Sequence, residues 1–367
     1  MRITLLRASR LGVVAGAIVL TVGPACPWAK AQSEADNPHI LIADQYNNRV
    51  VEVDRATHKV VWSFGTGSDI PGPHSVVGTN DAERFGPFTL ISGTGTPPGA
   101  PGCSDTVNGC PDNRVFIVDR HGDILWQYGQ AGVGGSGANQ LNTPVQSAFL
   151  SGFPGHPGFH VIITDQVNER IIVVNLFTSK IVWQYGTTGV SGNGPNQLNN
   201  PNSAEVLENG HILIADENNN RVIEVTAAGT IVKTFTIGGA LNGAAFASRL
   251  PNGHTLITDS NNNRIVEVDS TDHIVWQYVT NTGANSNPNP LPTRGIRLAN
   301  GHTLISDQNN NRVIEVTAGG HIVFQQGKTN VAGNGFNRLN GPYDAKQIGD
   351  FTGLTPPFDF DEDKDDH

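Results

Sequence analysis

Residues 300–326 read NGHTLISDQNNNRVIEVTAGGHIVFQQ, and the chain is organised around copies of this stretch. Three short runs in it have β character. Residues 303–306 and 312–316 alternate or cluster β-branched and apolar side chains, and residues 322–326 end in an aromatic-rich edge. Between the first two runs lie Asp307, Gln308, Asn309, Asn310 and Asn311. Asn and Asp tolerate left-handed backbone and bond their own main chain, so this segment reads as a hairpin turn. Gly319 and Gly320 supply the next turn. One antiparallel meander of this kind cannot bury both of its faces, so it needs neighbours.

The neighbours are in the same chain. The arginine that opens the second run recurs as Arg49, Arg114, Arg170, Arg221, Arg264 and Arg312, at spacings of 65, 56, 51, 43 and 48 residues. The aspartate closing the first run recurs as Asp44, Asp165, Asp216, Asp259 and Asp307; the second copy has Gly93 there and carries an insertion over residues 93–111. The third run holds Trp62, Trp126, Trp183 and Trp276 in one slot, which reads as packing between neighbouring sheets.

A fourth run, mostly introduced by proline, precedes copies two to six: residues 73–77, 144–150, 201–207, 244–250 and 292–298. Its sixth instance, 342–348, follows the last copy, while copy one has nothing suitable before it. The spacing therefore predicts an all-β fold: a six-bladed β-propeller of four-stranded blades, its first blade closed by the C-terminal strand. The propeller is expected over residues 32–350.

The ends read differently. Residues 1–31 have Arg2, Arg7 and Arg10, an apolar run from 11 to 22, and a small-x-small site at Ala29, Lys30, Ala31. That describes a cleavable secretory signal, hence a secreted or periplasmic protein with no membrane span after cleavage. Cys26 offers lipidation as a variant of this reading. Removing the segment takes away four basic residues and no acid, so the formal charge moves from −10 to −14. So acidic a chain neutralises neither nucleic acid nor an anionic membrane. Cys103 and Cys110, close together in a Gly/Pro-rich insertion of an exported chain, are expected to form a disulfide that staples the loop. Residues 351–367 read as an acidic, disordered tail.

Pro195, Asn196, Gln197, Leu198, Asn199, Asn200 and Pro201, followed by 210–216 and 219–225, resemble the NHL-repeat family of propellers, and 139–144 and 337–342 repeat the lead-in. The resemblance covers nearly the whole mature chain. It implies the fold, and a family that spans ligand-binding scaffolds, lyases, lactonases and partner-docking modules. The Gly-His and Trp-Gln-Tyr-Gly elements are also similar to bacterial quinone-cofactor-like and arylsulfotransferase-like propeller repeats. No catalytic residue is carried over from those.

Symmetry separates scaffold from site. Residues present in every blade lie on a ring, whereas a binding or catalytic site needs unlike groups converging at one place. His39, His160, His211, His254 and His302 share one slot and are read as hydrogen-bonding framework, as are the Asp/Asn/Arg turns. The slot after the lead-in proline holds His74, Val145, Asn202, Ala245, Thr293 and Tyr343; the next holds Ser75, Gln146, Ser203, Phe246, Arg294 and Asp344. His74, Gln146, Asn202, Arg294, Tyr343 and Asp344 form the expected polar set at the channel mouth, suited to a small polar or anionic ligand.

Two functions follow. In one, a monomeric exported propeller is a ligand-binding or protein-interaction scaffold, with the stapled loop conferring selectivity. In the other it is a metal-assisted lyase, lactonase or transferase. His74 is then the acid/base, Arg294 the anion holder, and Ca²⁺ is held at Asp344 or Asn202, with Gln146 and Tyr343 beside them. The residues leave open whether the chain is an enzyme.

Overall fold

The computed structural model describes residues 39–356, together with two three-residue strands, Arg2–Thr4 and Val19–Thr21, that pair antiparallel. The expected signal, including Cys26, and residues 357–367 of the expected tail otherwise lie outside the described residues. Residues 39–356 contain six four-stranded antiparallel sheets. In blade one the order from the axis outward is Pro342–Gln347, His39–Asp44, Arg49–Asp54, Val60–Phe64. The C-terminal strand thus closes the ring, as the displaced fourth run required. The inner strands of blades two to six are Thr79–Phe85, Pro144–Phe153, Pro201–Val206, Ala244–Arg249 and Pro292–Arg297.

The second strands read as near-continuous apolar runs because neighbouring blades cover both of their faces. Ile40 and Ile42 of blade one, for example, lie in one buried cluster with Leu304 and Val313 of blade six. Outer strands are half-solvated instead, and Val61, Val232, Val275 and Val323 are each about half exposed. The tryptophan slot does join blades: Trp62, Trp183 and Trp276 donate their indole N–H to Arg120, Ala227 and Ala318 of the following blade.

In five of the blades the turn between the second and third strands is a short 3₁₀ segment that ends on a left-handed residue. Four of these are asparagines, at φ 51° to 55°: Asn48, Asn220, Asn263 and Asn311. Their side chains each accept the amide of a residue leading into the next blade, Gly78, Gly243, Leu291 and Gly341, at 2.8–3.1 Å. Asn113 does the same for Thr143, and Glu169 for Asn200. One clasp therefore spans every junction of the ring. The turn aspartate meanwhile binds the arginine of its own blade and the amide of that blade's lead-in, as Asp44 does with Arg49 and Asn340.

Two blades depart from this plan, each for a visible reason. In blade two Asp112, on the third strand, takes the place of the missing aspartate: it accepts from Val77 N–H and from Arg114. A Cβ on Gly93 would lie 2.6 Å from the Asp112 carboxyl carbon, so only glycine leaves room for the transferred carboxylate. In blade six the lead-in residue is Pro290, which has no N–H to give. Asp307 Oδ1 is consequently buried with no partner, and burial pushes that carboxyl up to about 6.

The opposite face carries a second ring. His39, His211, His254 and His302 bind Glu52, Glu224, Glu267 and Glu315 of their own blades at 2.6–2.7 Å. The same glutamates take Arg84, Arg249, Arg297 and Arg55 from neighbouring blades. The framework reading of these histidines holds, but at the end of the second strand away from the aspartate turns. His160 instead meets Gly158 O and Asn175.

The expected insertion is an extended hairpin rather than a bare loop. Phe88–Thr96 and Cys110–Val118 stay paired out to Thr96 and Cys110, and only residues 97–109 connect them. Cys103 and Cys110 are disulfide-bonded. The loop rests on blade one through Asn48 Nδ2 to Gly102 O and on Asp69 through Ser104 N–H.

Gly93→Ala should lower the unfolding free energy by about 1–3 kcal/mol, because the Asp112 carboxylate must move. Gly283→Ala, into open space, should change it by less than about 0.5 kcal/mol. Urea denaturation compares the two, and equal losses would remove the role given to Asp112.

Candidate ligand site at the propeller axis

Each inner strand begins with a register shift after its first residue, as between Pro342 and Asp344 or Pro292 and Arg294. Such a bulge re-aims side chains, and here it lets two consecutive residues reach toward the axis. Asn202 of blade four donates to Tyr343 OH of blade one at 2.8 Å, and Arg294 Nη1 of blade six lies 3.4 Å from Asn202 Oδ1. Asn202, Arg294, Tyr343 and Asp344 are thus brought together, as expected from their slots. Gln146 is brought in one layer deeper, between Glu205 and Ala204 N–H.

His74 is not among them. Blade two's inner strand starts at Thr79, so the aspartate-bound amide there is Val77 and the axial slots hold Asn80 and Asp81, six residues later than the proline-led reading placed them. Thr79 stands where most blades have proline, which hides the register. His74 lies exposed in the preceding turn, with Nδ1 3.2 Å from Gly122 O. An acid/base at the axis therefore has to come from another residue.

Sequence reasoning missed Asp81, Glu83, Glu205, Glu217 and Lys346. For Glu83, Glu205 and Lys346 the signal was a polar residue two positions beyond the slot in the same strand, since alternate residues share a face; Asp81 is a slot residue in the shifted register, and Glu217 comes from a hairpin turn. Lys346 Nζ sits between Asp81 and Asp344, 2.6 Å from each. An ammonium thus occupies the place in which Asp344 was expected to hold Ca²⁺, and Asn202 is committed to Glu217 and Tyr343. Among the described residues no group of three or more His, Cys, Asp or Glu is arranged to hold a metal ion. These residues do not fit the metal proposed for them.

Five carboxyls, Asp81, Glu83, Glu205, Glu217 and Asp344, face two cations, Arg294 and Lys346. Burial pushes Asp81 up to about 6 against the pull of Lys346, pushes Glu205 up to about 7, and holds Glu83 well above the ordinary range. Burial also opposes the Lys346 charge, but Asp344 and Asp81 outweigh it and hold the ammonium protonated. Tyr343 is carried up to about 12 by burial and by Glu217.

Arg294 is 1% exposed, its guanidinium 4.9 Å from the Phe246 ring centre and 5.5 Å from that of Tyr343. Its Nε and Nη2 have no hydrogen-bond partner, and neither has Asp344 Oδ1, 3.7 Å from Nε. A buried donor and a buried acceptor thus face each other as an ion pair too long for a hydrogen bond, with hydrogen-bonding capacity left over on both. An amide or a hydroxyl, which can both give and take a hydrogen bond, suits that pair better than an anion does, because Asp344 would repel the anion.

The far end of the channel is crossed by the chain itself. Asp350 accepts from Ala299 N–H, and Thr355 gives its N–H and hydroxyl to Glu205 at 2.7 and 2.5 Å. Thr355 is buried, so residues 351–356 are a strap on the propeller and not part of a solvating tail.

Glu205 holds its proton more tightly folded than unfolded. Its contribution to stability is complete below about pH 4.5 and is lost as the pH rises through about 7. Urea midpoints at pH 5 and 8 should therefore fall with pH, and Glu205→Gln should remove on the order of 2–3 kcal/mol of that fall. Asp81 and Glu83, which burial also pushes up, face the same region and add to the fall, whereas Lys346 stays protonated throughout this range. An unchanged pH slope in Glu205→Gln would overturn the assignment.

No family model matches the chain, and no curated protein matches it. Solved structures do. A streptogramin B lyase aligns over 81% of this chain and 80% of its own at 12% identity, with a TM-score of 0.51. A protein of unknown function from Bacteroides caccae aligns over 79% and 93% at 14% identity (TM-score 0.49), and the WD40 β-propeller domain of Doa1 over 79% and 82% at 13% (TM-score 0.47). The likeness is one of fold, and the chain is a six-bladed β-propeller.

Proposed function

We propose that this chain is an exported propeller of the NHL type that works as a binding scaffold, taking a small neutral polar ligand at the axis beneath Tyr343. The carrying observation is the ion pair of Arg294 and Asp344, in which Nε, Nη2 and Oδ1 make no hydrogen bond. The surrounding groups are tied into a network that fixes this pair without offering a nucleophile beside a base. The stapled loop, lying beside the mouth against blade one, is the natural place for selectivity. The disulfide suits an oxidising compartment, and none of the described helices is long and apolar enough to cross a membrane.

An enzymatic reading, with chemistry of the lyase kind found on this fold, would have to use Glu205 or Glu83, the buried carboxyls shifted toward neutrality. Thr355 covers Glu205, which favours the scaffold.

A thermal-shift panel of malonamide, glycolamide and xylitol against malonate and glycolate tests the proposal. At least one neutral compound should raise the melting temperature, and Arg294→Lys should abolish the shift, since a lysine cannot reproduce the planar donor fork. Carboxylates alone stabilising the protein, or an unchanged shift in Arg294→Lys, would defeat the neutral-ligand site. Turnover of the stabilising compound would replace the scaffold by the enzyme.

A further inference from the structure

Away from the axis, the rim between blades six and one holds a cavity of about 360 Å³, within the size range of small-ligand sites. Val51, Val53 and Leu339, all buried, belong to its apolar lining, with Val60 and Phe336 exposed beside them. Its charged lining is Arg49, Lys59 and Arg338, with no Asp or Glu, in a chain whose formal charge is −10. Arg49 is tied to Asp44, which leaves Lys59 and Arg338 as the charges on offer.

Comparison with the protein's own repeats shows what is unusual here. The same connector reads Gly137, Ala138, Asn139, Gln140 before blade three and Gly194, Pro195, Asn196, Gln197 before blade four; here it reads Gly335, Phe336, Asn337, Arg338. The asparagine keeps its role in all three, accepting Gly129, Gly186 and Gly327 N–H at 2.7–3.0 Å. The glutamine does not survive. Gln140 and Gln197 fold back to accept Gly137 and Gly194 N–H at 3.1 Å, a bond an arginine has no acceptor to make. Arg338 Nη1 is buried without a partner, and Phe336 is 71% exposed. Two replacements in an otherwise retained loop thus both line this cavity, and neither restores the bond that the glutamine makes to the loop.

We propose that the cleft between blades six and one binds a small carboxylate with an aromatic or other apolar body. The carboxylate takes the free Nη1 of Arg338, with Lys59 adding charge, while the apolar part lies against Phe336, Val60 and the valine floor. The site is separate from the axis, so the two readings fail independently.

Titration of the full chain with 2-naphthoate, alongside neutral 2-naphthamide, tests this. Naphthoate should bind more tightly than the amide and lose affinity with added salt. Arg338→Gln should weaken it about tenfold or more, the value of one hydrogen bond to a charged group. Phe336→Ala should weaken it several-fold. Both variants install residues the third-blade connector already carries, so the fold is retained, and Arg294→Lys should leave naphthoate binding unchanged. Equal binding of amide and acid, or undiminished binding in Arg338→Gln, would overturn the proposal. So would binding seen only after removal of residues 357–367, which would make that acidic segment the occupant.

Discussion

Every junction of the ring depends on one amide, handed from the start of a blade to a side-chain oxygen of the blade before it. The receiving residue is left-handed, and so is the giver: Gly78, Thr143, Asn200, Gly243, Leu291 and Gly341 all have φ between 47° and 69°. For a β-branched residue such as Thr143 that conformation is strained. The chain accepts the strain because an unpaired amide at a buried junction would cost about 1–3 kcal/mol. The clasp immediately precedes each inner strand and its initial bulge, and so fixes where the chain enters the new blade. The bulge in turn decides which side chains meet at the axis.

The turn aspartate shows how far such a device can be altered before it fails. In blade two the carboxylate comes from another strand and still reaches the same arginine and the same amide, provided residue 93 has no side chain. In blade six the carboxylate is in place and the amide is gone, and one oxygen remains unpaired.

Much of this was legible in the sequence, and what was not has physical causes. Arginine spacing, turn asparagines and the displaced sixth run carried the blade count and the closure, because these features recur and recurrence is a strong signal. Asn202, Arg294, Tyr343 and Asp344 were placed on inner strands at the axis because proline marked those strands. His74 was misplaced where that mark was missing, and Asp81 was lost with it. Lys346 was overlooked for a different reason: whether a lysine on a strand is solvated or caught between two aspartates depends on contacts across the axis, which no local pattern encodes. The same ignorance made Arg294 look like an anion holder. Only the count of buried carboxyls around it turns the reading toward a neutral ligand.

The closure of blade one has a consequence for how the molecule is made. His39–Asp44 emerges roughly 300 residues before its inner partner, Pro342–Gln347, so during synthesis at ordinary rates of about 5–20 residues per second the second strand waits roughly 15–60 s for its neighbour. Throughout that time it presents an open edge of HILIAD, an apolar and sticky template. The ring of such a chain can close only once Pro342–Gln347 has emerged and found that edge.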